Sequence, residues 1–464
     1  MRTKTTTTLA LGGCFIALTV AGGCNSGSRS KNGSAAPTAS TSLALTNVAL
    51  TASQTAARVG SDTVALVFKL QSPAGSGDVT FQSLVVSSSG SVDETALGGL
   101  KLISDDDGDG RIDAGEATVA SLASPAFTQN DGTATIAFTN STTIPAGGQG
   151  RQFLVAVETP VPGPGSAGMV GQTVRMFLAS ASSVATVDSA GRPGTIQGTF
   201  PAGGGAVSLY LHDHLILTEV VTLPAGAEYI ELFNPTPSPA NLTNVFITDH
   251  SVNAAPTTLY QNITTGANFA PAAAGATDFV ARFPAGTMIA PGQSKVVAID
   301  GAAYRAAYGK DADHCLRGAV AGVNSQQMLT PAGANWTATA VAATVELRDA
   351  GEPIVVFFYD FTVAQRVFDV DYVFYGAAGG TDLHMDKSGL TVSGFTYPTE
   401  TSAASQTAVD GSLPTPAQNA LRRVLYNEGN EKTTGGSGLL GGHDETSEPW
   451  RVTFGVAVPT PGTP

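Results

Sequence analysis

The segment Glu228-Tyr-Ile-Glu-Leu-Phe-Asn-Pro235 decides the fold class most directly. In an extended chain its residues alternate, so Ile230 and Leu232 share one face of a strand while Tyr229 and Phe233 share the other. The closing Asn-Pro pair ends the strand, because proline cannot donate a hydrogen bond to a neighbouring strand. We therefore predict one strand of a β-sheet here, with each carboxylate either at a sheet edge or accepting hydrogen bonds from a turn.

Comparable runs, rich in β-branched and aromatic residues, occur through the preceding part of the chain between clusters of turn residues. They span residues 63–70, 79–86, 133–138, 152–157 and 173–178. This spacing predicts an antiparallel β-sandwich over residues 43–210. One helix is predicted later, from Ala302 to Tyr308, with Asp300 as its N-cap and Gly309 at its C-terminal end.

The composition is acidic and poor in charge. The chain has 37 Asp and Glu against 23 Lys and Arg, a formal net charge of -14. Such a field repels phosphate backbones, so nucleic acid is excluded as a partner. The sequence also has no Walker-type loop and no G-x-G-x-x-G followed by a helix, so nucleotide binding has no support.

The N-terminus has the features of a secretory signal. Two basic residues precede a short stretch, 9–21, of apolar or small residues, and the sequence then reads Val20-Ala-Gly-Gly-Cys24. The apolar stretch is too short for a membrane-spanning helix. Small residues before a cysteine resemble a bacterial lipoprotein signal, which implies cleavage after residue 23 and diacylation of Cys24. The alternative is an ordinary signal peptide with an incidental cysteine.

A lipidated Cys24 places the protein in the cell envelope, attached to a membrane through its lipid. Residues 24–42 lack apolar periodicity and are predicted to form a flexible tether. Asn25 follows the cysteine, which by analogy with lipoprotein sorting favours the outer membrane or the cell surface. After cleavage the remaining cysteines are Cys24 and Cys315, so no intramolecular disulfide is expected.

One motif predicts a metal site: Asp105-Asp-Asp-Gly-Asp-Gly-Arg-Ile-Asp-Ala-Gly-Glu116. It matches the calcium-binding loop, with oxygen ligands at fixed positions and Gly110 at the sharp turn. The predicted calcium ligands are Asp105, Asp107, Asp109, the carbonyl oxygen of Arg111, Asp113 and Glu116. The flanking residues read as strands, so we expect a strand-loop-strand unit in which calcium is structural. An empty, solvated acidic turn is the alternative.

The later part of the chain carries a family resemblance. Leu215-Ile-Leu-Thr-Glu-Val220, the segment 228–235 and Asn241-Leu-Thr-Asn-Val-Phe-Ile-Thr-Asp249 together resemble the lamin tail domain, an immunoglobulin-like β-sandwich. The resemblance spans residues 211–455 and leaves 456–464 as a C-terminal tail. For a bacterial protein it implies tethering or scaffolding at the cell surface.

Catalytic signals are sparse. His212 and His214 would project to the same side of a strand, but a third metal ligand has to come from elsewhere, and His250, His314, His384 and His443 lie on unrelated segments. A polar strand between two domains is the favoured interpretation of this pair. No G-x-S-x-G turn is present, and Cys315 beside His314 is a poor nucleophile pair.

Together these features predict an all-β protein of two tandem β-sandwiches, the second immunoglobulin-like, after a lipoprotein signal and tether. The predicted function is a non-enzymatic, calcium-containing envelope module that binds an envelope protein or a polysaccharide. The alternative is a metal-dependent extracellular hydrolase with its site near His212 and His214.

Overall fold

We describe a computed structural model of the chain. It describes residues 41–51, 54–148, 150–249, 260–265, 277–319, 322–332, 335–349, 351–362, 366–376, 385–409, 420–428, 431–439 and 442–464. The predicted signal peptide and Cys24 lie outside the described residues, as do His250 and His384. Among the helices of the described ranges, none is long and apolar enough to cross a membrane.

The first part of the described chain forms two β-sheets. One sheet has the strand order β11-β1-β3-β8-β5-β6, and the other has the order β10-β4-β9-β13-β2, with β12 beside β9 and β7 beside β4. The strands are β1 (Ser42–Val48), β2 (Ala56–Arg58), β3 (Asp62–Gln71), β4 (Val79–Gly90), β5 (Leu100–Asp105), β6 (Thr118–Leu122), β7 (Thr133–Ile144), β8 (Arg151–Glu158), β9 (Thr173–Leu178), β10 (Val184–Asp188), β11 (Thr195–Gln197), β12 (Ala202–Gly203) and β13 (Val207–Tyr210).

Aromatic side chains from both of these sheets meet in one buried core. Phe68 of β3 and Phe153 of β8 come from the first sheet, and Phe81 of β4 comes from the second. The ring centroids of Phe81 and Phe153 are 5.4 Å apart, and those of Phe68 and Phe153 are 5.6 Å apart. Side chains of this size contribute most to burial in a sandwich core, so the two sheets pack face to face.

The second part is also built from strands. Its two larger sheets have the orders β22-β21-β20-β15-β14-β29-β30 and β18-β17-β25-β26. The strands are β14 (Ile216–Val221), β15 (Tyr229–Phe233), β16 (Ala240–Asn241), β17 (Val245–Thr248), β18 (Val280–Arg282), β19 (Met288–Ile289), β20 (Ser294–Asp300), β21 (His314–Arg317), β22 (Gln326–Gln327), β23 (Thr330–Ala332), β24 (Asn335–Thr337), β25 (Gly351–Phe358), β26 (Phe368–Gly376), β27 (Thr391–Val392), β28 (Phe395–Thr396), β29 (Ala420–Arg423) and β30 (Phe454–Ala457). The all-β sandwich prediction is confirmed.

Helices are short. Within the described ranges, the α-helices are α1 (Gly301–Tyr308) and α2 (Trp450–Thr453), and the 3-10 helices are Glu94–Ala96, Pro164–Met169, Ala181–Ser183, Tyr260–Thr265, Ala403–Ser405 and Glu445–Ser447. The prediction of α1 is confirmed. Asp300 accepts hydrogen bonds from the backbone N–H groups of Ala302 and Ala303 at 3.0 Å, and Gly309 ends the helix with a φ of 69°.

Strand β15 lies in the interior of its sheet. The predicted alternation holds, because Ile230 and Leu232 face the core between the two larger sheets while Tyr229 packs against α1. Of the two positions predicted for a carboxylate, a sheet edge or a turn, Glu231 does not take the edge, since β15 pairs with β14 on one side and β20 on the other. Glu231 instead accepts a hydrogen bond from the backbone of Gly462, in a turn, at 2.5 Å.

The two parts share buried side chains at their junction. Ile216, Phe233 and Tyr426 come from the second part but belong to the apolar core of the first. The backbone N–H of Leu211 donates to the carbonyl of Pro235 at 2.9 Å. This packing fixes the segment between β13 and β14, which contains His212 and His214. The boundary between residues 210 and 211 stays a prediction.

Candidate metal centre

His212 and His214 lie in a bend between β13 and β14. The prediction that they sit on a polar strand is therefore wrong, because the chain turns at Leu211 and pairs again only at Ile216. The bend still brings the imidazoles together, with ring centroids 4.3 Å apart. Both side chains are buried, with exposures of 3% and 5%.

Two glutamates from the segment after β29 complete a cluster with these histidines. A carboxylate oxygen of Glu428 lies 3.1 Å from Nε2 of His212 and 3.3 Å from Nε2 of His214. One ligand atom from each of these residues and from Glu431 fits within a mutual distance of 4.8 Å. Separations of this size suit side chains that share one metal ion.

A third imidazole joins from the loop before α2. The ring of His443 lies 5.8 Å from that of His214, and its Nδ1 lies 3.9 Å from a carboxylate oxygen of Glu431. The loop closes tightly, because the backbone N–H of Gly438 donates to the carbonyl of His443 at 2.8 Å. We call His212, His214, Glu428, Glu431 and His443 the His–Glu centre.

Several buried atoms of the His–Glu centre have ion-pair contacts but no well-aligned hydrogen bond in the described ranges. Nδ1–H of His214 donates to the carbonyl of Leu215 at 2.8 Å. Burial alone would lower the pKa of His214, but the carboxylate of Glu428, 3.3 Å from its Nε2, outweighs burial and raises that pKa above its usual value. That Nε2, both carboxylate oxygens of Glu428 and Nδ1 of His443 are buried and have no well-aligned hydrogen bond within the described ranges. Buried polar atoms of this kind are rare, and a bound ion is one accepted reason for them.

Two of the three imidazoles, those of His212 and His443, have the protonation state that a metal ligand needs. Burial lowers the pKa of His212 well below its usual value and also lowers the pKa of His443, so both rings are neutral near pH 7. Burial and the nearby Glu428 raise the pKa of Glu431 to about 11. One of the two adjacent carboxyls, Glu428 or Glu431, therefore holds a proton. A divalent cation would replace that proton.

The backbone of Glu428 is strained, and its surroundings hold it in place. Its φ of 55° is in the left-handed region, which costs a residue with a side chain about 1 to 2 kcal/mol. Arg423 is fully buried nearby, with Nη1 at 3.7 Å from Glu428 and 2.5 Å from Glu448, and Nη2 at 2.6 Å from Asp371. Strain supported in this way is typical of functional sites.

A recess of about 290 Å³ opens beside the His–Glu centre. It is lined from both parts of the chain, by residues that include Arg58, Ser61, Pro162, His212, Glu431 and His443. The guanidinium of Arg58 is held by its Nε–H, which donates to the carbonyl of Leu211 at 3.1 Å. The recess therefore connects the centre to solvent past a cationic side chain.

The donor set would suit a metal of the zinc class better than calcium. Imidazole nitrogens mixed with carboxylate oxygens are the ligands of zinc and similar first-row ions, whereas calcium takes oxygen donors alone. His212 and His214 stand out in the sequence as candidate ligands, whereas Glu428 and Glu431 do not. The spacing Glu-x-x-Glu at 428–431 is the one local signal that pointed to the missing ligands.

The predicted calcium loop runs from β5 to β6, which pair in antiparallel fashion, so the strand-loop-strand prediction is confirmed. Oxygens of Asp105, Asp107 and Glu116 lie within 4.8 Å of one another, as do those of Asp107, Asp109 and Asp113. Gly110 has a φ of 82° at the predicted sharp turn.

The carboxylates of this loop are bound by its own backbone. Asp105 accepts hydrogen bonds from the N–H groups of Gly108 at 2.6 Å and Gly110 at 2.9 Å. Glu116 accepts one from the N–H of Asp113 at 3.0 Å. Calcium binding by the six predicted ligands, including the Arg111 carbonyl, stays a prediction.

Cys315 is a free, buried thiol on β21. Burial raises its pKa to about 11, so little thiolate exists near pH 7. His314 is also buried and lies outside the His–Glu centre. Burial lowers the pKa of His314 to about 4.

Comparison with known proteins gives weak similarities. No family model matches the chain, and no curated protein matches it. Among solved structures, the chain is similar to a DUF4876 family protein from Bacteroides thetaiotaomicron, with 11% identity, a TM-score of 0.30, and coverage of 78% of this chain and 92% of that one. It also matches a "Putative membrane anchored protein" from Corynebacterium diphtheriae, with 10% identity, a TM-score of 0.14, and coverage of 53% and 52%. These values are too low to transfer a function.

Proposed function

We propose that the protein is a lipid-anchored cell-envelope protein whose His–Glu centre binds a divalent metal ion of the zinc class. The observation that carries this proposal is that His212, His214, Glu428 and Glu431 each bring one ligand atom within a mutual distance of 4.8 Å, with the ring of His443 beside that of His214. The envelope location rests on the resemblance of the N-terminus to a lipoprotein signal ending at Cys24.

The metal has a structural role in this proposal. Five candidate ligand residues exceed the four that a closed zinc site uses. They come from the segment before β14, the segment after β29 and the loop before α2, so one ion would join three distant stretches of chain. Binding energy of this kind stabilises the folded state directly. The protein would then present its sandwiches as a non-catalytic binding, tethering or scaffolding module.

Two further features belong to this proposal. Calcium in the loop from Asp105 to Glu116 would stabilise the first sandwich, and the second sandwich would be of the lamin-tail type, as its sequence resemblance implies. The partner is an envelope protein or a polysaccharide. An acidic chain of net charge -14 is suited to neither nucleic acid nor another strongly acidic surface.

The recess supports a second candidate, a metal-dependent hydrolase. His212, Glu431 and His443 line it directly, and Arg58 would attract an anionic substrate. If His212, His214 and Glu428 alone held the ion, a fourth position would remain for water. Glu431 would stand beside that water as a base only after the cation had displaced its proton.

Metal analysis of the purified protein tests the first proposal. We expect one zinc-class ion per chain after dialysis against trace zinc, measured by elemental mass spectrometry. His212→Ala combined with Glu428→Gln should lose this ion, whereas His314→Gln, a buried histidine elsewhere, should retain it. A folded wild-type protein without bound metal would disprove the proposal.

Activity assays separate the two candidates. The zinc-loaded protein should show background rates with phosphatase, nuclease, esterase and glycosidase substrates. Turnover that disappears in both His212→Ala and Glu431→Gln, and persists in His314→Gln, would establish the hydrolase instead.

The anchor is tested by labelling cells with a radioactive fatty acid. Wild-type protein should carry the label and Cys24→Ser should not. Label on the variant would refute lipidation at Cys24.

A further inference from the structure

Lys387 is a fully buried lysine, far from the His–Glu centre in the sequence, that contacts two carboxylates. Its Nζ lies 2.5 Å from an oxygen of Asp369 and 2.9 Å from an oxygen of Glu400. The exposed side-chain fractions are 0% for the lysine, 4% for Asp369 and 1% for Glu400. Lysine is almost never buried in this way unless it is paired, and Lys387 forms a buried trio with these two carboxylates.

Hydroxyl and aromatic groups enclose the trio. The hydroxyl of Tyr260 donates to Asp369 at 2.6 Å and accepts from Nζ of Lys387 at 2.7 Å. The Tyr260 ring lies 5.1 Å from Nζ. Ser437 donates to Asp369 at 3.2 Å and also contacts Glu400. This enclosure keeps bulk water away from the carboxyl carbon of Asp369 and holds the amine against it.

Backbone elements fix the geometry. Asp369 is on β26, and Lys387 and Glu400 lie on either side of the β27–β28 hairpin. The backbone N–H of Lys387 donates to the second oxygen of Glu400 at 2.7 Å. Glu400 therefore contacts both the side-chain amine and the backbone N–H of Lys387, while the amine also contacts Asp369. Because the fold already holds the reacting groups in contact, little further entropy is lost when they condense.

We propose that Lys387 and Asp369 are joined by an intramolecular amide bond that forms after folding, with Glu400 transferring the protons.

The step balances without a co-reactant. The Lys387 ammonium gives one proton to the Glu400 carboxylate, and the neutral amine attacks the Asp369 carboxyl carbon. The new C–N bond forms as one C–O bond breaks. The proton held by Glu400 and one from the nitrogen leave with that oxygen as water. One hydrogen stays on the amide nitrogen, and Glu400 ends as a carboxylate.

Physical chemistry favours this product at a buried site. Burial alone would lower the pKa of Lys387, but Asp369 and Glu400 outweigh burial and raise that pKa well above its usual value, so the ammonium can lose its proton only to a group in contact. Burial raises the pKa of Glu400, which suits it to accept that proton. Desolvation makes an isolated buried ion pair costly. Condensation replaces two buried charges by a neutral amide, and the reverse reaction would need water in the enclosed site.

Trypsin digestion of the full, denatured wild-type chain tests the proposal. Trypsin cleaves after Arg366 and Arg422, and Lys387 is the sole cleavage site between them. An amide on Lys387 blocks cleavage there, so we expect a single peptide, 367–422, lighter than its sequence by one water. Without the bond the products are 367–387 and 388–422 at full mass.

The same digest contains an internal control. Lys295 pairs with Asp313 at 2.7 Å, but its side chain is 26% exposed. Trypsin should cleave after Lys295 normally, because solvent reaches that pair.

Glu400→Gln keeps both reacting residues and removes the proton carrier, so we expect cleavage after Lys387 and full-mass peptides. Lys387→Arg cannot form the bond and serves as the unlinked reference. Full-mass peptides 367–387 and 388–422 from folded wild-type protein would overturn the proposal. Loss of water with normal cleavage at Lys387 would indicate a succinimide and would overturn it too. A bond formed to the wild-type extent in Glu400→Gln would remove Glu400 from the mechanism.

Discussion

The Asp105–Glu116 loop and the His–Glu centre both concentrate carboxylates, yet they satisfy them in opposite ways. Asp107, Asp109 and Asp113 of the loop are exposed, and backbone N–H groups of the loop already bind its buried Asp105. The oxygens of Glu428 are buried and have no well-aligned partner in the described part of the chain. The two clusters contain similar acidic residues, but we expect the stability of the His–Glu centre to depend on metal more than the stability of the loop does.

This difference has an energetic consequence. An exposed carboxylate without a cation stays solvated, so the loop can keep its fold when it is empty. A buried polar atom without a partner costs about 1 to 3 kcal/mol. We therefore expect metal removal to destabilise the His–Glu centre more than the loop.

The largest effect is expected for zinc at the His–Glu centre. His212→Ala should weaken zinc binding by about 100-fold or more, because losing even an outer partner of a metal ligand costs about 10- to 100-fold. At free zinc about 1,000 times the dissociation constant, the ion should stabilise the wild type by about 4 kcal/mol. Calorimetric titration and urea unfolding with and without zinc measure both quantities.

His314→Gln is the matched control for this experiment. It removes a buried histidine outside the centre and should leave zinc affinity unchanged. Equal zinc stabilisation of the wild type and His212→Ala would place the ion elsewhere and would reverse the comparison.

The next effect is a pH dependence from His314. Its pKa is about 4 in the folded protein because of burial, against about 6.5 in the unfolded chain. Above pH 6.5 both states are neutral and the contribution is complete. Below that value the unfolded state binds more protons, so stability falls as the pH drops from 6.5 towards 4, by about 3 kcal/mol.

Urea unfolding in chelator at pH 7 and pH 4 measures this loss. It should be smaller by about 3 kcal/mol in His314→Gln than in the wild type. The difference isolates His314 from the histidines of the centre. If the variant lost as much stability as the wild type between pH 7 and pH 4, His314 would already be hydrated in the folded protein.

A smaller effect is expected at the calcium loop. With a dissociation constant of about 0.1 mM, calcium at about 1 mM should stabilise the protein by about 1.4 kcal/mol. Glu116→Gln should abolish this shift because it removes the expected bidentate ligand. Asp106→Asn changes an adjacent acidic residue outside the ligand set and should keep it. Thermal melts of the full chain that coincide in calcium and in chelator would leave the loop as a solvated turn.

The smallest effect is the coupling between the two clusters. They share no candidate ligand, so the stability changes of His212→Ala and Glu116→Gln should add to within about 0.5 kcal/mol in the double variant. Unfolding of the two single variants and the double variant in zinc and calcium measures the coupling. A larger coupling would mean that the clusters act as one unit.

Several features could be predicted because their causes are local. Helix α1 follows from Asp300 and Gly309 at its ends, and the alternation in β15 follows from the geometry of an extended chain. The turn at Gly110 follows from a motif whose ligand types occupy fixed positions. In each case the residues that decide the structure lie within a few positions of one another.

The sequence by itself therefore determined the all-β class, α1 and the shape of the acidic loop. Tertiary structure alone decided that Glu428, Glu431 and His443 would meet His212 and His214, and that Lys387 would be buried between Asp369 and Glu400. These groups come from segments far apart in the chain, and no local spacing encodes their approach. Sheet pairing and loop closure bring them together, because the burial that stabilises the sandwiches also fixes which distant polar side chains must share an interior.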